Sequence, residues 1–283
     1  MDLASLEIKI ARSENLPVLP QIVTSVIKMA DDPDASPRQM ERLIEHEPAI
    51  TAKILRVANS AFYAMDPVPT IGRAIGVLGM NSIRSLVVSV AYQQFVSTKA
   101  VSTRFDRFAF WQHSLATAIG SRILAKLLLP ARAEEIYGAG MMHDVGILVI
   151  DRFCPDELDE CIAVANEQGI SLCEVERHTY GYDHAEVGGL LAERWGLSGM
   201  LPTVIGLHHR LQSATEHEEA IALVSIANTV AHQAGFTNQL RKCVEDFDPA
   251  ARMKMDIADE QLDVIKAVVT QEVAKAQEAF QIK

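Results

Sequence analysis

Apolar residues recur along this chain at the three-and-four spacing of helices, and no stretch sustains the alternation that a half-buried strand needs. The first clear stripe is Ile22, Val23, Val26, Ile27 and Ala30, broken by the acidic turn at residues 31–34. Ser36, Pro37 and Gln39 read as the N-cap, first residue and capping-box partner of a short helix burying Met40, Leu43 and Ile44. A helix from Pro48 carries Ile50, Ile54, Leu55, Val57 and Ala58 and ends near Asn59. After the turn at residues 66–69, Thr70 caps a helix with Ile71, Ala74, Ile75 and Leu78 in register, which Gly79 stops. Asn81 is expected to cap the next, with Ile83, Leu86, Val87 and Val90 inward. Beyond a polar joint at residues 97–103, helices are predicted over 105–129, around His143, and over 155–168, 174–180, 185–195, 201–209 and 218–235. Asp248 and Pro249 open a further turn, and Asp259 begins a terminal helix with Leu262, Ile265, Val269, Val273 and Phe280 on one stripe. The pattern predicts an all-α protein.

The joint suggests a bundle of short helices over residues 1–100, a second helical core over 101–235 and a C-terminal extension over 236–283. A chain of 283 residues has room for one large domain or two small ones. Its composition, 49% hydrophobic and 22% charged, is ordinary for a globular protein. The formal net charge of -11 argues against non-specific nucleic-acid binding, which needs a basic surface to displace counterions. It leaves room for a small anion held by a local basic patch. Cys154, Cys161, Cys173 and Cys243 show neither paired spacing nor a dense framework, so reduced thiols are expected. No apolar run has the length of a membrane span and the acidic opening lacks the form of a signal peptide, so the expected location is cytoplasmic.

The chemistry concentrates around residues 139–150, where His143 and Asp144 sit side by side in an otherwise apolar helical run. Burying imidazole and carboxylate is costly unless they bind something or each other. An isolated pair would read as a buried His bonded to its neighbouring Asp. This pair has company: His113 upstream, then His184, the adjacent His208 and His209, and Asn228 in an apolar helix. His46, His178, His217 and His232 have charged or polar neighbours and read as surface groups or supports behind a site. Arg210, next to His209, is a candidate for meeting an anionic ligand. Lys53 and Arg56 read as salt-bridging groups at the core's edge, and the first hundred residues hold no catalytic constellation.

Residues 16–20 (Leu-Pro-Val-Leu-Pro), 47–60 (beginning Glu-Pro-Ala-Ile-Thr-Ala) and 74–79 (Ala-Ile-Gly-Val-Leu-Gly) resemble, in order, three motifs of the HDOD domain of bacterial signalling proteins. The resemblance is tight over the first 80 residues and extends to about residue 235. It implies an N-terminal helical subdomain packed on an HD-like helical core. That core is related to the metal-dependent HD and HD-GYP phosphohydrolases. His113, His143, Asp144, His184, His208 and His209 fall in the order of a binuclear HD-GYP-type site, with Asp144 at the bridging position. The resemblance thus implies a mono- or binuclear site for Fe, Mn, Zn or Ni. Asn228 stands where those enzymes carry a last Asp ligand, Ala231 where they carry a Lys, and residues 210–217 lack the Gly-Tyr-Pro signature.

These departures favour a signalling module that senses a ligand or metal and acts on partner signalling proteins, with a small phosphate ligand also conceivable. The alternative is a metal-dependent phosphohydrolase of nucleotides or phosphate esters, with Asp144 catalytic and water activated by the bound ions. A partner-binding scaffold stapled by the cluster is a third reading. The terminal amphipathic helix is expected to pack within the chain or across a homodimer.

Overall fold

The computed structural model describes residues 2–12, 20–60, 63, 67–97, 101–197, 199–238 and 246–280. Among these there are sixteen α-helices and no strand. The first six are α1 (Leu3–Arg12), α2 (Gln21–Asp31), α3 (Pro37–Glu45), α4 (Pro48–Ala58), α5 (Ile71–Leu78) and α6 (Met80–Val96). Residues 16–19 of the first quoted motif, residues 98–100 of the polar joint, Asp66 and Cys243 lie outside the described residues.

Local chemistry sets these boundaries. Ser36 Oγ accepts from the Gln39 amide while Gln39 Oε1 accepts from the Ser36 amide at 2.7 Å, so the expected capping box is formed. Thr70 Oγ1 accepts from the Arg73 amide at 3.1 Å and opens α5. Gly79, at φ +82°, both ends α5 and turns the chain directly into α6. Asn81 is therefore the second residue of α6 rather than its cap, because the glycine leaves no separate cap position. Helix α1 was not anticipated from the apolar pattern; it buries Leu6 and Ile10 on one stripe.

The remaining helices are α7 (Arg107–Leu128), α8 (Ala133–Met142), α9 (Val145–Phe153), α10 (Pro155–Gln168), α11 (Leu172–Tyr180), α12 (His184–Arg194), α13 (Leu201–Leu207), α14 (Glu218–Gln233), α15 (Pro249–Met255) and α16 (Asp259–Phe280). Helix α7 is the central element, packed on α8, α14 and α16. Helix α6 joins the first group to the second by packing on α8. A polar seam ties that contact: Ser85 Oγ donates to Glu134 Oε2 at 2.6 Å, and Ser89 Oγ meets the Tyr137 hydroxyl at 2.8 Å. The stripe Leu262, Ile265, Val269, Val273 and Phe280 of α16 is buried within the chain, against α7, α14 and α4.

The expected single helix around His143 is two. Helix α8 ends at Met142, and Asp144, at φ -92° and ψ 11°, interrupts the helix before α9 begins. The break follows from packing across the joint. Helix α9 lies so close to α12 that a Cβ on Gly146 would collide with the His184 carbonyl and stand 2.7 Å from the Gly188 nitrogen. Only glycine permits that approach, and it places the start of α12 against the His143–Asp144 joint.

Candidate metal centre

Four elements bring their imidazoles to one carboxylate. His113 comes from α7, His143 from the joint after α8, His184 from the first position of α12, and His208 from the end of α13. All four and Asp144 are buried. The Nε2 atoms of His184, His143 and His208 lie 3.2, 3.3 and 3.5 Å from Asp144 Oδ1, and that of His113 lies 3.6 Å from Oδ2. Because α8 and α9 break at the pair, His143 and Asp144 face the same centre instead of diverging around a helix.

The opposite nitrogen of each ring is pinned. Nδ1 of His113 lies 2.8 Å from the Phe236 carbonyl, that of His143 2.8 Å from Gly140 O, and that of His208 2.8 Å from Ile205 O. Nδ1 of His184 lies 2.6 Å from Glu176 Oε2. Carbonyls and carboxylates only accept, so each Nδ1 donates and carries the proton. A neutral ring so held presents a bare Nε2 lone pair towards Asp144. Nε2 of His184 and of His208 has no hydrogen-bond partner, and the Nε2 atoms of His113 and His143 face each other at 3.3 Å. Lone pairs and a carboxylate converging in a dry cavity repel one another unless a cation stands among them. Two nitrogens bound at about 2.1 Å to one ion sit about 3.0–3.4 Å apart at angles of 90–109°.

The donor set therefore fits a divalent transition ion. It forms two groups that share Asp144: His113 and His143 on one side, His184, His208 and the half-buried His209 on the other, each group's ligand atoms lying within 4.8 Å of one another. Asn228 Oδ1 is buried without a partner, and it lines a small cavity of about 10 Å³ with Asp144, His184 and His209. Arg210 is turned away to an ion pair with Glu186, its Nε 3.8 Å from Asp183.

Charge follows from the same contacts. Burial raises the pKa of Asp144, but with no ion among them the His143 charge and the surrounding His184 and His208 rings outweigh it and hold the carboxyl well below its usual range. Burial works to lower the His184 pKa, but Glu176 and Asp144 reverse that and hold it well above the ordinary value, so without an ion this Nε2 carries a proton that a bound cation would displace. Burial leads in depressing His208.

Two supports, Glu176 and Asn238, went unread in the sequence, and a third, His232, was read only as a surface or supporting group. Glu176 is buried and anchors both the His184 ring and its backbone amide, at 3.0 Å. Its position on the buried stripe of α11, four residues after Leu172 and three after Cys173, is the signal that could have found it. His232, expected as a surface or supporting group, is buried, with its ring 4.4 Å from that of His113. Asn238 Nδ2 donates to Asp144 Oδ2 at 3.4 Å.

Fold and cluster together define an all-helical, HD-like protein whose histidines converge on a break between two helices of its core. Residues 16–243 match the HDOD domain family model, and the chain belongs to that family. The crystal structure of an HDOD domain protein of unknown function from Geobacter sulfurreducens superposes with a TM-score of 0.83, covering 99% of this chain and 98% of that one at 24% identity. A candidate phosphohydrolase from Shewanella amazonensis superposes with a TM-score of 0.75, covering 98% and 97% at 25% identity. An uncharacterized protein of Treponema pallidum is 26% identical over 77% of this chain, which spans 42% of that protein's length. No described helix is long and apolar enough to cross a membrane.

Proposed function

We propose that this chain is a regulatory HDOD module that holds one or two divalent transition ions (Fe, Mn, Zn or Ni) and relays their occupancy to partner signalling proteins. His113, His143 and Asp144 hold the first position; Asp144, His184, His208 and His209 hold the second, with Asn228 at its edge. The observation that carries this reading is the set of four Nδ1-pinned rings whose Nε2 atoms all lie within 3.6 Å of one carboxylate. Metal-binding histidines are fixed in this way by the group behind them.

Asp144 is the one carboxylate among these ligands, so a dication there keeps excess positive charge. That charge suits a small phosphate ligand, which requires the cavity of about 10 Å³ beside His209 and Asn228 to widen. A bound ion would supply Lewis-acid polarisation of a phosphoryl oxygen. The chain itself adds little towards turnover: Ala231 is fully buried and apolar, and Arg210 is occupied by Glu186. A second reading, phosphohydrolysis, is favoured by the name of the Shewanella relative.

Metal analysis of the purified protein tests both. Wild type is expected to retain about one to two equivalents of transition metal, and Asp144→Asn to lose affinity by about 100-fold or more. His217→Ala, at a half-buried position outside the cluster, is expected to retain the metal. Equal metal content in wild type and Asp144→Asn would sink the assignment. Turnover of a phosphodiester by the Mn- or Fe-loaded protein, lost in Asp144→Asn, would replace the regulatory reading with the enzymatic one.

A further inference from the structure

We propose that α7 and α9 carry the state of the metal centre to residues 101–104, and that the carboxylates of Asp151 and Asp159, which hold this segment, are where occupancy is read out. The inference rests on the metal-binding reading above and names the part of the chain that answers to the ion. The two helices are bridged at two levels. At the first, His113 of α7 stands 3.6 Å from Asp144, the residue from which α9 starts. At the second, Arg107, which opens α7, donates to Asp151 of α9 at 2.5 Å. Arg107 precedes His113 by six residues, and Asp151 follows Asp144 by seven. With a rise of about 1.5 Å per residue, the levels lie about 9 Å apart along α7 and about 10 Å along α9, two rungs between rails of nearly equal length.

The second rung also holds the run of chain that leads into α7. Asp151, fully buried, accepts the amides of Val101 at 3.2 Å and Ser102 at 2.7 Å. Asp159, on α10 just beyond α9, continues the series: it accepts the amides of Thr103 and Arg104, each at 3.0 Å, and the hydroxyls of Ser102 and Thr103. Burial works to raise the Asp159 pKa, but the Ser102 and Thr103 hydrogen bonds outweigh it and bring it to about 2, so this anchor is ionised at ordinary pH. Lys9 of α1 reaches the same arm, donating to the Phe153 carbonyl at the end of α9 at 3.2 Å. An ion held by His113, His143 and Asp144 ties the first rung; without one, that rung is no more than a 3.6 Å approach. Helix α9 is short and seated closely on α12 at Gly146, so a shift at Asp144 is passed along it as a body. Amides held by side chains open more readily than those inside a helix, so a slight movement of the arm is enough to change their exchange.

Hydrogen exchange reads this anchor directly, because the reporting amides are the ones that Asp151 and Asp159 hold. When Zn²⁺ is added to the chelator-treated chain, the amides of residues 101–104 are expected to exchange about tenfold more slowly, within the usual range of coupling between two sites. The Ser36 and Gln39 amides, also held by side chains but at the start of α3, are the control and should keep their rates. In Asp144→Asn, zinc should leave the segment's exchange unchanged. Coupling is reciprocal, so Asp159→Ala is expected to weaken Zn²⁺ binding by a similar factor, about tenfold, from outside the cluster. Three results overturn the relay and leave the metal site standing: an unchanged rate in zinc-bound protein, equal slowing of the segment and the control, or wild-type zinc affinity in Asp159→Ala. A wild-type chain that binds no zinc overturns both readings, and its metal content tells that failure from the others. The exchange comparison on the wild type needs no substitution, so a variant that fails to fold leaves the test decisive.

Discussion

The helices up to Val96 and those from Arg107 onward bury apolar faces by the same rules, yet they differ in what else they bury. Among the described residues of α1 to α5, no polar or charged side chain is buried, and α6, where the two groups meet, buries only Arg84, Ser85 and Ser89. The second group buries Asp144, Asp151, Glu176, Asp183 and five histidines. Asp151 and Asp183 are closed accounts, the first met by Arg107 and two backbone amides, the second by Arg177 and one. The centre at Asp144 faces imidazoles alone, apart from one long contact from Asn238. Polar burial that closes on itself is structure; polar burial that leaves lone pairs converging is where a ligand belongs.

A core truncation in the first group should therefore move stability and leave metal binding intact. Ile54 in α4 is fully buried among apolar neighbours. Ile54→Ala is expected to cost about 2–5 kcal/mol in urea unfolding, with the metal content of the folded fraction unchanged. Loss of metal from that folded fraction would join the two regions into one unit and break the distinction.

Gly146→Val reverses the outcome. The added side chain drives α9 away from the His184 carbonyl and the Gly188 amide, so it should cost about 1–3 kcal/mol and displace His184 from Asp144. Metal affinity is expected to fall with it, by about tenfold or more, as isothermal titration would read. A destabilised variant of unchanged affinity would show that the close contact serves packing alone.

The legible part of the molecule follows the same division. Residues 36–79 were readable because Ser36, Thr70 and Gly79 announce helix ends locally, through side-chain caps or a positive φ. Helix α1 carries a marker of the same kind, Asp2 Oδ1 accepting from the Ser5 amide at 2.8 Å, but shows only Leu3, Leu6 and Ile10 on its stripe and went unread. Around the centre, the order of His113, His143, Asp144, His184 and His208 pointed to one cavity through family resemblance, and the fold brings those five together. What sequence order could not supply was the direction each ring faces. That depends on carbonyls of Gly140, Ile205 and Phe236, which every residue type offers, and on a helix break imposed by a neighbouring helix. Glu176 escaped notice because its role arises only when α11 folds back on the start of α12.

Glu176 also gives the finest test, since it acts on the centre through His184 and through pH. Glu176→Gln keeps an acceptor for Nδ1 but removes the charge, so metal affinity is expected to fall by about 10–100-fold rather than vanish. In chelator-treated protein the sign can be worked out. The His184 pKa is raised above 6.5, so its contribution to stability is complete below that pH and is lost as pH rises towards the folded value. The His208 pKa is lowered, so its contribution is complete above 6.5 and is lost as pH falls below it. Urea midpoints of the chelated wild type should thus peak near neutral pH and decline on both sides. Glu176→Gln should keep the acidic decline and flatten the alkaline one, because only His184 loses the charge that raised it. An alkaline limb unchanged in the variant would mean that Glu176 merely orients the ring, and that the charge of this centre is governed by Asp144 alone.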